Sequence, residues 1–185
     1  MIVGFVGKQQ HGKTTAANVL VSECGFRRHN FKDALIAEIK HKLPRVLDEL
    51  VTLYNKYEFD GMNPWTIDRL FKDKPGVVRA LLQNYGTEVR RAEDPDHWVD
   101  AWGQLASALS EQDLVADDVR FLNEAKALQS VGGILIRIVR DDMANNDGHQ
   151  SEVEQDAIIV DYEIHVNSGE LDKLKEEVLK AVFVR

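Results

Sequence analysis

Residues 7–15 read Gly7-Lys8-Gln9-Gln10-His11-Gly12-Lys13-Thr14-Thr15, and no other stretch constrains the fold as tightly. They fill the pattern G-x-x-x-x-G-K-[ST] completely. The apolar run Ile2-Val3-Gly4-Phe5-Val6 precedes them, and Ala16-Ala17-Asn18-Val19-Leu20-Val21 follows as the first turns of a helix. A buried strand, a tight glycine turn and a helix N-terminus, in that order, give the pattern its physical meaning. Backbone N–H groups of such a loop converge on phosphate oxygens, and the helix dipole adds partial positive charge at the same point. Lys13 is then placed to reach β- and γ-phosphates, and the Thr14 hydroxyl to ligate Mg²⁺. The competing reading, a glycine turn without a ligand, gives the lysine and threonine no purpose. The pattern predicts a nucleotide-binding α/β protein.

The chain has 185 residues, enough for one α/β domain or a domain with a large insertion. Apolar residues make up 44%, which permits a packed core and argues against wholesale disorder. A net charge of −8 opposes general affinity for nucleic acid or anionic membranes. Any phosphate site is therefore a local basic cluster on an acidic background. Cys24 is the single cysteine, so neither an intramolecular disulfide nor a multi-cysteine zinc site is expected. No apolar run reaches transmembrane length, and the first strand leads into the glycine loop without a signal-peptide pattern. A cytoplasmic location is expected.

Along the chain, residues 2–6 read as a strand and 14–24 as a helix that Gly25 ends. Residues 26–31 read as a short second strand, and 33–43 as a helix that stops before Pro44. Residues 47–75, with Tyr54, Tyr57, Phe59, Trp65 and Phe71, read as aromatic and irregular. Helices follow over 77–92 and 98–109. Strands over 114–119 and 134–139 flank a short helix at 123–130. The polar stretch 141–156 reads as a surface loop or lid. A last strand at 162–167 and an amphipathic helix at 169–183 close the chain. This alternation predicts a three-layer α/β architecture, a parallel sheet with helices on both faces, over residues 1–185. Residues 32–113 read as a mostly helical insertion, suited to a second substrate or serving simply as extra packing.

Three further clusters carry chemistry. Arg79, Gln83, Thr87 and Arg90 or Arg91 recur at three- and four-residue steps and so share a helix face. Two guanidiniums and two hydrogen-bonding groups on one stripe suit a phosphate monoester, although a solvated helix face would read the same. Asp117 and Asp118 end a predicted parallel strand, where ligands of open sheets bind, with Arg120, Asn123 and Glu124 close behind. One of the two aspartates can hold Mg²⁺ through water; spacing leaves open which. Arg137 and Arg140 precede the lid, with His149, Ser151 and Glu152 inside it, and can neutralise charge on a transferring phosphoryl group. His29, His41 and His165 lack metal-ligand spacing. Trp65, Trp98 and Trp102 read as core, with Trp98, beside Asp96 and Asp100, also a candidate to line an acceptor pocket.

These blocks together resemble the P-loop deoxynucleoside monophosphate kinases of tailed bacteriophages and prophages. The similarity rests on the glycine loop, R-A-L-L-Q-N-Y-G-T-E-V-R-R, D-P-D-H-W-V, D-D-V-R-F-L-N-E-A, G-G-I-L-I-R-I-V-R, H-Q-S-E and V-N-S-G-E-L-D-K-L. The resemblance implies a nucleoside-monophosphate-kinase-like fold with an acceptor-binding insertion and a lid. It implies transfer of the ATP γ-phosphate to a deoxynucleoside 5′-monophosphate, with Mg²⁺. Gly7, Lys8, Gln10, His11, Gly12, Lys13, Thr14 and Thr15 would then hold ATP, with Asn167 near the adenine. Lys32, Arg79, Gln83, Thr87, Arg90 or Arg91, Trp98 and Glu152 would form the monophosphate site. Asp118 and Arg120 would sit at the acceptor or metal, with Thr14, Asp117 and Asp118 as the metal candidates. Lys13, Arg120, Arg137 and Arg140 would carry the catalytic charge. The expected location becomes a host cytoplasm if the chain is phage-encoded; a homodimer is left open. Deoxyribose selectivity would need a packed wall at the sugar, with Tyr54, Tyr57, Phe59 or the Trp98 region as candidates. Two alternatives stand beside this reading: a dephospho-coenzyme A kinase-like enzyme, and a nucleotide-gated assembly factor of the DNA-packaging kind. The acidic balance and the lack of a basic stripe count against the last.

Overall fold

The computed structural model describes residues 1–59, 61–143 and 154–184. Its elements are β1 (Ile2–Val6), α1 (Lys13–Cys24), β2 (Arg27–Arg28), α2 (Phe31–Lys42), α3 (Pro44–Tyr57), α4 (Ile67–Asp73) and α5 (Gly76–Gln83). A π-helical stretch, Asn84–Arg91, continues α5 without a break. Then come α6 (His97–Ala108), β3 (Leu114–Val119), α7 (Leu122–Ser130), β4 (Ile134–Arg140), β5 (Tyr162–Val166) and α8, which is Leu171–Phe183. The chain divides into a sheet unit, residues 1–31 and 99–185, and a helical unit, residues 32–98.

In the sheet unit five parallel strands lie in the order β2-β3-β1-β4-β5. Side chains alternate across the pleat, so each strand supplies two cores. Val3, Phe5, Ile136 and Ile138 pack on one face against Leu20 of α1 and Val178 and Val182 of α8. Leu114, Ala116 and Leu135 pack on the other against Trp102 of α6 and Leu128 of α7. Both faces are covered, as a parallel sheet requires, and this is the expected three-layer fold. Beyond the carboxyl end of β1 the strand order switches direction, which is where open α/β sheets form their ligand crevice. Gly25 ends α1 at φ 75°, and its N–H donates to the Leu20 carbonyl.

Several local expectations change. The second strand shrinks to two residues, because Arg28 turns to Asn18 and Asp117 and His29 turns inward onto Trp102. Residues 47–75 are largely helical. Pro44 occupies the first turn of α3, where its missing N–H costs nothing. Leu47, Leu50, Val51 and Tyr54 fall at helical spacing on the helical unit's own core. Thr66 caps α4, its hydroxyl accepting from Arg69 N–H at 3.1 Å. Residues 99–113, read with the insertion, group instead with the sheet, because Trp102 and Ala106 are buried in its core. Most of the proposed lid, including His149, Ser151 and Glu152, lies outside the described residues. No described helix is long and apolar enough to cross a membrane.

Candidate active site

The loop between β1 and α1 wraps around its own lysine. The Lys13 ammonium donates to the carbonyls of Gly7 and of Lys8, the latter at 2.7 Å. Gly7 has φ +144°, and a Cβ placed there would lie 2.5 Å from the Ile138 carbonyl oxygen of β4. Only glycine satisfies both conditions. Gly12, at φ +100°, delivers the chain into the first turn of α1. Gln10 is held at φ 65°. Thr14 and Thr15 are exposed at the helix N-terminus, where unpaired N–H groups and the dipole favour an anion. Gly7, Lys8, His11, Arg137, Ile138, Val139 and Asp156 line a cleft of about 170 Å³ beside the loop.

His11 is 5% exposed. Its Nδ1 accepts the Arg140 backbone N–H at 3.2 Å, and the ring also bonds the Ile138 backbone. The imidazole therefore ties the glycine loop to the end of β4, where β1 has already left the sheet. Burial lowers its pKa below the ordinary 6.5; the Ile138 bond opposes this, and the charges of Lys13, Lys8 and Arg140 reinforce it. A depressed histidine contributes stability in full above pH 6.5 and loses it as pH falls through the folded value. The unfolding temperature of the wild type should therefore fall more steeply between pH 7 and pH 5 than that of His11→Asn, whose amide keeps an acceptor without a titrating charge. Parallel declines in the two proteins would show that His11 does not link loop and strand.

Both arginines at the lid's start are held by carboxylates. Arg137 donates to the Ile158 carbonyl at 2.6 Å and lies 3.9 Å from Asp156 and 3.4 Å from Glu163. Arg140 pairs with Asp142 at 2.9 Å and with the Ser168 hydroxyl. Asp142 also accepts the Ser168 hydroxyl, and the Ser168 N–H at 3.0 Å. These hydrogen bonds hold the Asp142 carboxyl well below the usual carboxylate range. Lys8 lies 3.6 Å from Asp156, so one carboxylate stands between two of the site's cations. Asn167 is exposed, and its N–H donates to Glu170 at 2.7 Å.

At the end of β3 both aspartates are buried. Asp117 lies 3.6 Å from the Arg28 guanidinium, and its N–H donates to Asn30. Asp118 accepts the Phe31 N–H at 3.1 Å, at the start of α2. Glu124 is committed to structure: its carboxylate accepts the N–H groups of Arg120 and Phe121, closing the N-terminus of α7. The Arg120 residue itself is exposed. Among the described residues no three metal-ligating side chains cluster.

In the helical unit the stripe from Arg79 survives, with a different pitch. Four residues of an α-helix overshoot a turn by about 40°, so three such steps from 79 to 91 would drift by roughly 120°. The wider i→i+5 turns of Asn84–Arg91 make four residues fall slightly short of a turn and undo most of that drift. Arg79, Gln83, Thr87 and Arg91 thus stay on one line, and Arg90 is turned roughly a quarter-turn away. Arg90 instead donates to Glu38, through Nε at 2.6 Å and through Nη2, and lies 3.3 Å from Glu93. Arg79 Nε donates to the Lys74 carbonyl at 2.9 Å. Lys32 is half-buried at the start of this unit. Trp98 is 3% exposed, and its indole N–H donates to the Gly86 carbonyl at 3.0 Å, bracing the helix from within. Tyr54 packs on Trp65 at 4.7 Å between ring centroids, whereas Tyr57 and Phe59 are exposed. Glu38 and Asp156 gave no signal in sequence, because their partners lie outside their own helix turn or loop, and Asp142 joins its neighbour Arg140 to Ser168, 26 residues on.

A glycine loop after the central strand of a parallel sheet, with a lysine folded over it, defines a P-loop nucleotide-binding protein. The chain belongs to the deoxynucleotide monophosphate kinase family, whose model matches residues 55–178. It is also 29% identical, over 98% of its length and 96% of the relative's, to a protein of Acanthamoeba polyphaga mimivirus provisionally named a deoxynucleotide monophosphate kinase. The protein is a phosphotransferase, a kinase of deoxynucleotide monophosphate.

Proposed function

We propose that the enzyme transfers the γ-phosphoryl group of ATP to the 5′-phosphate of a deoxynucleoside monophosphate, giving ADP and the deoxynucleoside diphosphate. The observation that carries this reading is the glycine loop with Lys13 poised over it, in a chain of this family. An oxygen of the acceptor phosphate bonds to the γ-phosphorus as the bond to the β-bridging oxygen breaks and the electron pair leaves with ADP. The attacking oxygen is already ionised, so no general base is needed, and catalysis is positioning and charge neutralisation.

In this reading the N–H groups of residues 7–15 and the Lys13 ammonium hold the β- and γ-phosphates. Mg²⁺, held by Thr14 and one strand-end aspartate, would neutralise charge on the β- and γ-oxygens. Asp117, with the Arg28 cation beside it, and Asp118, which accepts the Phe31 N–H, are the two candidates for that role. Arg137 and Arg140 exchange Asp156, Glu163 and Asp142 for phosphate oxygens, and Arg120 adds a further cation at the strand end. Asn167 borders the adenine. Lys32 and the line Arg79, Gln83, Thr87 and Arg91 bind the monophosphate.

The acceptor assignment has a direct test. Arg79→Ala and Arg91→Ala should each raise KM for the monophosphate by about tenfold or more, with KM for ATP little changed, because a charge-assisted phosphate contact is lost. Selective loss of ATP binding in either variant would mean that this helix serves the donor.

A further inference from the structure

Glu38 belongs to none of the groups assigned to the reaction, yet its carboxylate gathers three side chains of the helical unit. It accepts from Tyr85 OH at 2.8 Å, from Arg90 through two nitrogens, and pairs with His97 Nε2 at 2.8 Å. Burial pushes its carboxyl up, but hydrogen bonds from His97, Tyr85 and Arg90 outweigh that and bring it down to about 2. It is therefore ionised throughout the working range.

The same oxygen, Oε1, takes both Tyr85 and Arg90. These residues are five apart. On an α-helix they would diverge by about 140° and could not meet on one atom; in an i→i+5 turn they stack. The Arg90 guanidinium indeed lies 5.6 Å from the Tyr85 ring centroid. A shared acceptor on α2 thus selects the wide turn over the α-helix that the residues would otherwise continue. The packing agrees: a Cβ on Gly86 would come within 2.9 Å of Leu35 on α2, three residues before Glu38. The Gly86 carbonyl is bonded by Trp98.

We propose that Glu38 is a positioning residue for the acceptor: by gathering Tyr85, Arg90 and His97 it holds residues 84–91 in the wide-turn form that aligns Arg91 with Arg79, Gln83 and Thr87. Arg90 is in this account a strut, and Arg91 the phosphate reader. The inference rests on the reading that this stripe binds the monophosphate.

The test is a double-mutant cycle on KM for the monophosphate. Glu38→Gln should raise it about tenfold in the wild-type background, with KM for ATP unchanged, and should add less than about twofold in the Arg91→Ala background. Equal effects in both backgrounds, or equal losses of both substrates, would mean that Glu38 only stabilises the unit and would overturn the proposal. If Glu38→Gln does not fold, Arg90→Lys carries the same test, since it keeps the charge and loses the fork that Glu38 engages. Arg91→Ala alone separates the two levels. If it leaves the monophosphate KM unchanged, the stripe reading fails; if it raises KM but Glu38→Gln does not, only the positioning role fails.

Discussion

Lys13→Ala should lower kcat by roughly 10²–10³, the 2.7–4 kcal/mol typical of one lost transition-state donor, while the protein stays folded. The ammonium bonds carbonyls of its own loop, those of Gly7 and Lys8. What is lost is a cation that can follow the γ-phosphoryl as it moves. Single-turnover kinetics separate this from a binding defect, because the chemical step itself should slow. A folded Lys13→Ala enzyme with near-normal kcat would refute the role.

Gly7→Ala should do comparable damage by another route. The residue sits at φ +144°, and its new Cβ would lie 2.5 Å from the Ile138 carbonyl oxygen. The backbone conformation alone costs an alanine about 1–3 kcal/mol. The obstacle cannot move away cheaply, because Ile138 is paired with Ile164 of β5 in the sheet. The loop must shift instead, and with it the N–H groups aimed at the phosphates and the His11 link to Arg140. ATP affinity should fall about a hundredfold, a loss of roughly 2.7 kcal/mol. Calorimetric titration of ATP into Gly7→Ala checks this; unchanged affinity would show that the loop does not depend on its approach to β4.

The sheet was legible in sequence because its signals are local. Strands β1, β3 and β4 carry short apolar runs, β5 alternates apolar and polar residues, and Gly25 stops α1 where its left-handed conformation is needed. The glycine loop was legible for the same reason. What could not be read arises from contacts distant in the chain. Residues 47–75 hide a helix because aromatic side chains at 54, 57 and 59 mask a plain apolar face. The bond from Arg90 to Glu38, some fifty residues earlier, and the wide turn that carries Arg90 have no local signal. His11 reads as one more loop residue until Arg140 is beside it.

The central claim is tested most directly by measuring ADP formation from ATP and Mg²⁺ with each deoxy- and ribonucleoside monophosphate in turn. The account predicts ADP release only when a monophosphate acceptor is present, with one deoxynucleoside diphosphate formed per ADP. For a given base, kcat/KM should favour the deoxynucleotide by the 5- to 150-fold that about 1–3 kcal/mol at a packed sugar wall would give. No acceptor-dependent ADP formation by the folded protein, across every monophosphate, would contradict it.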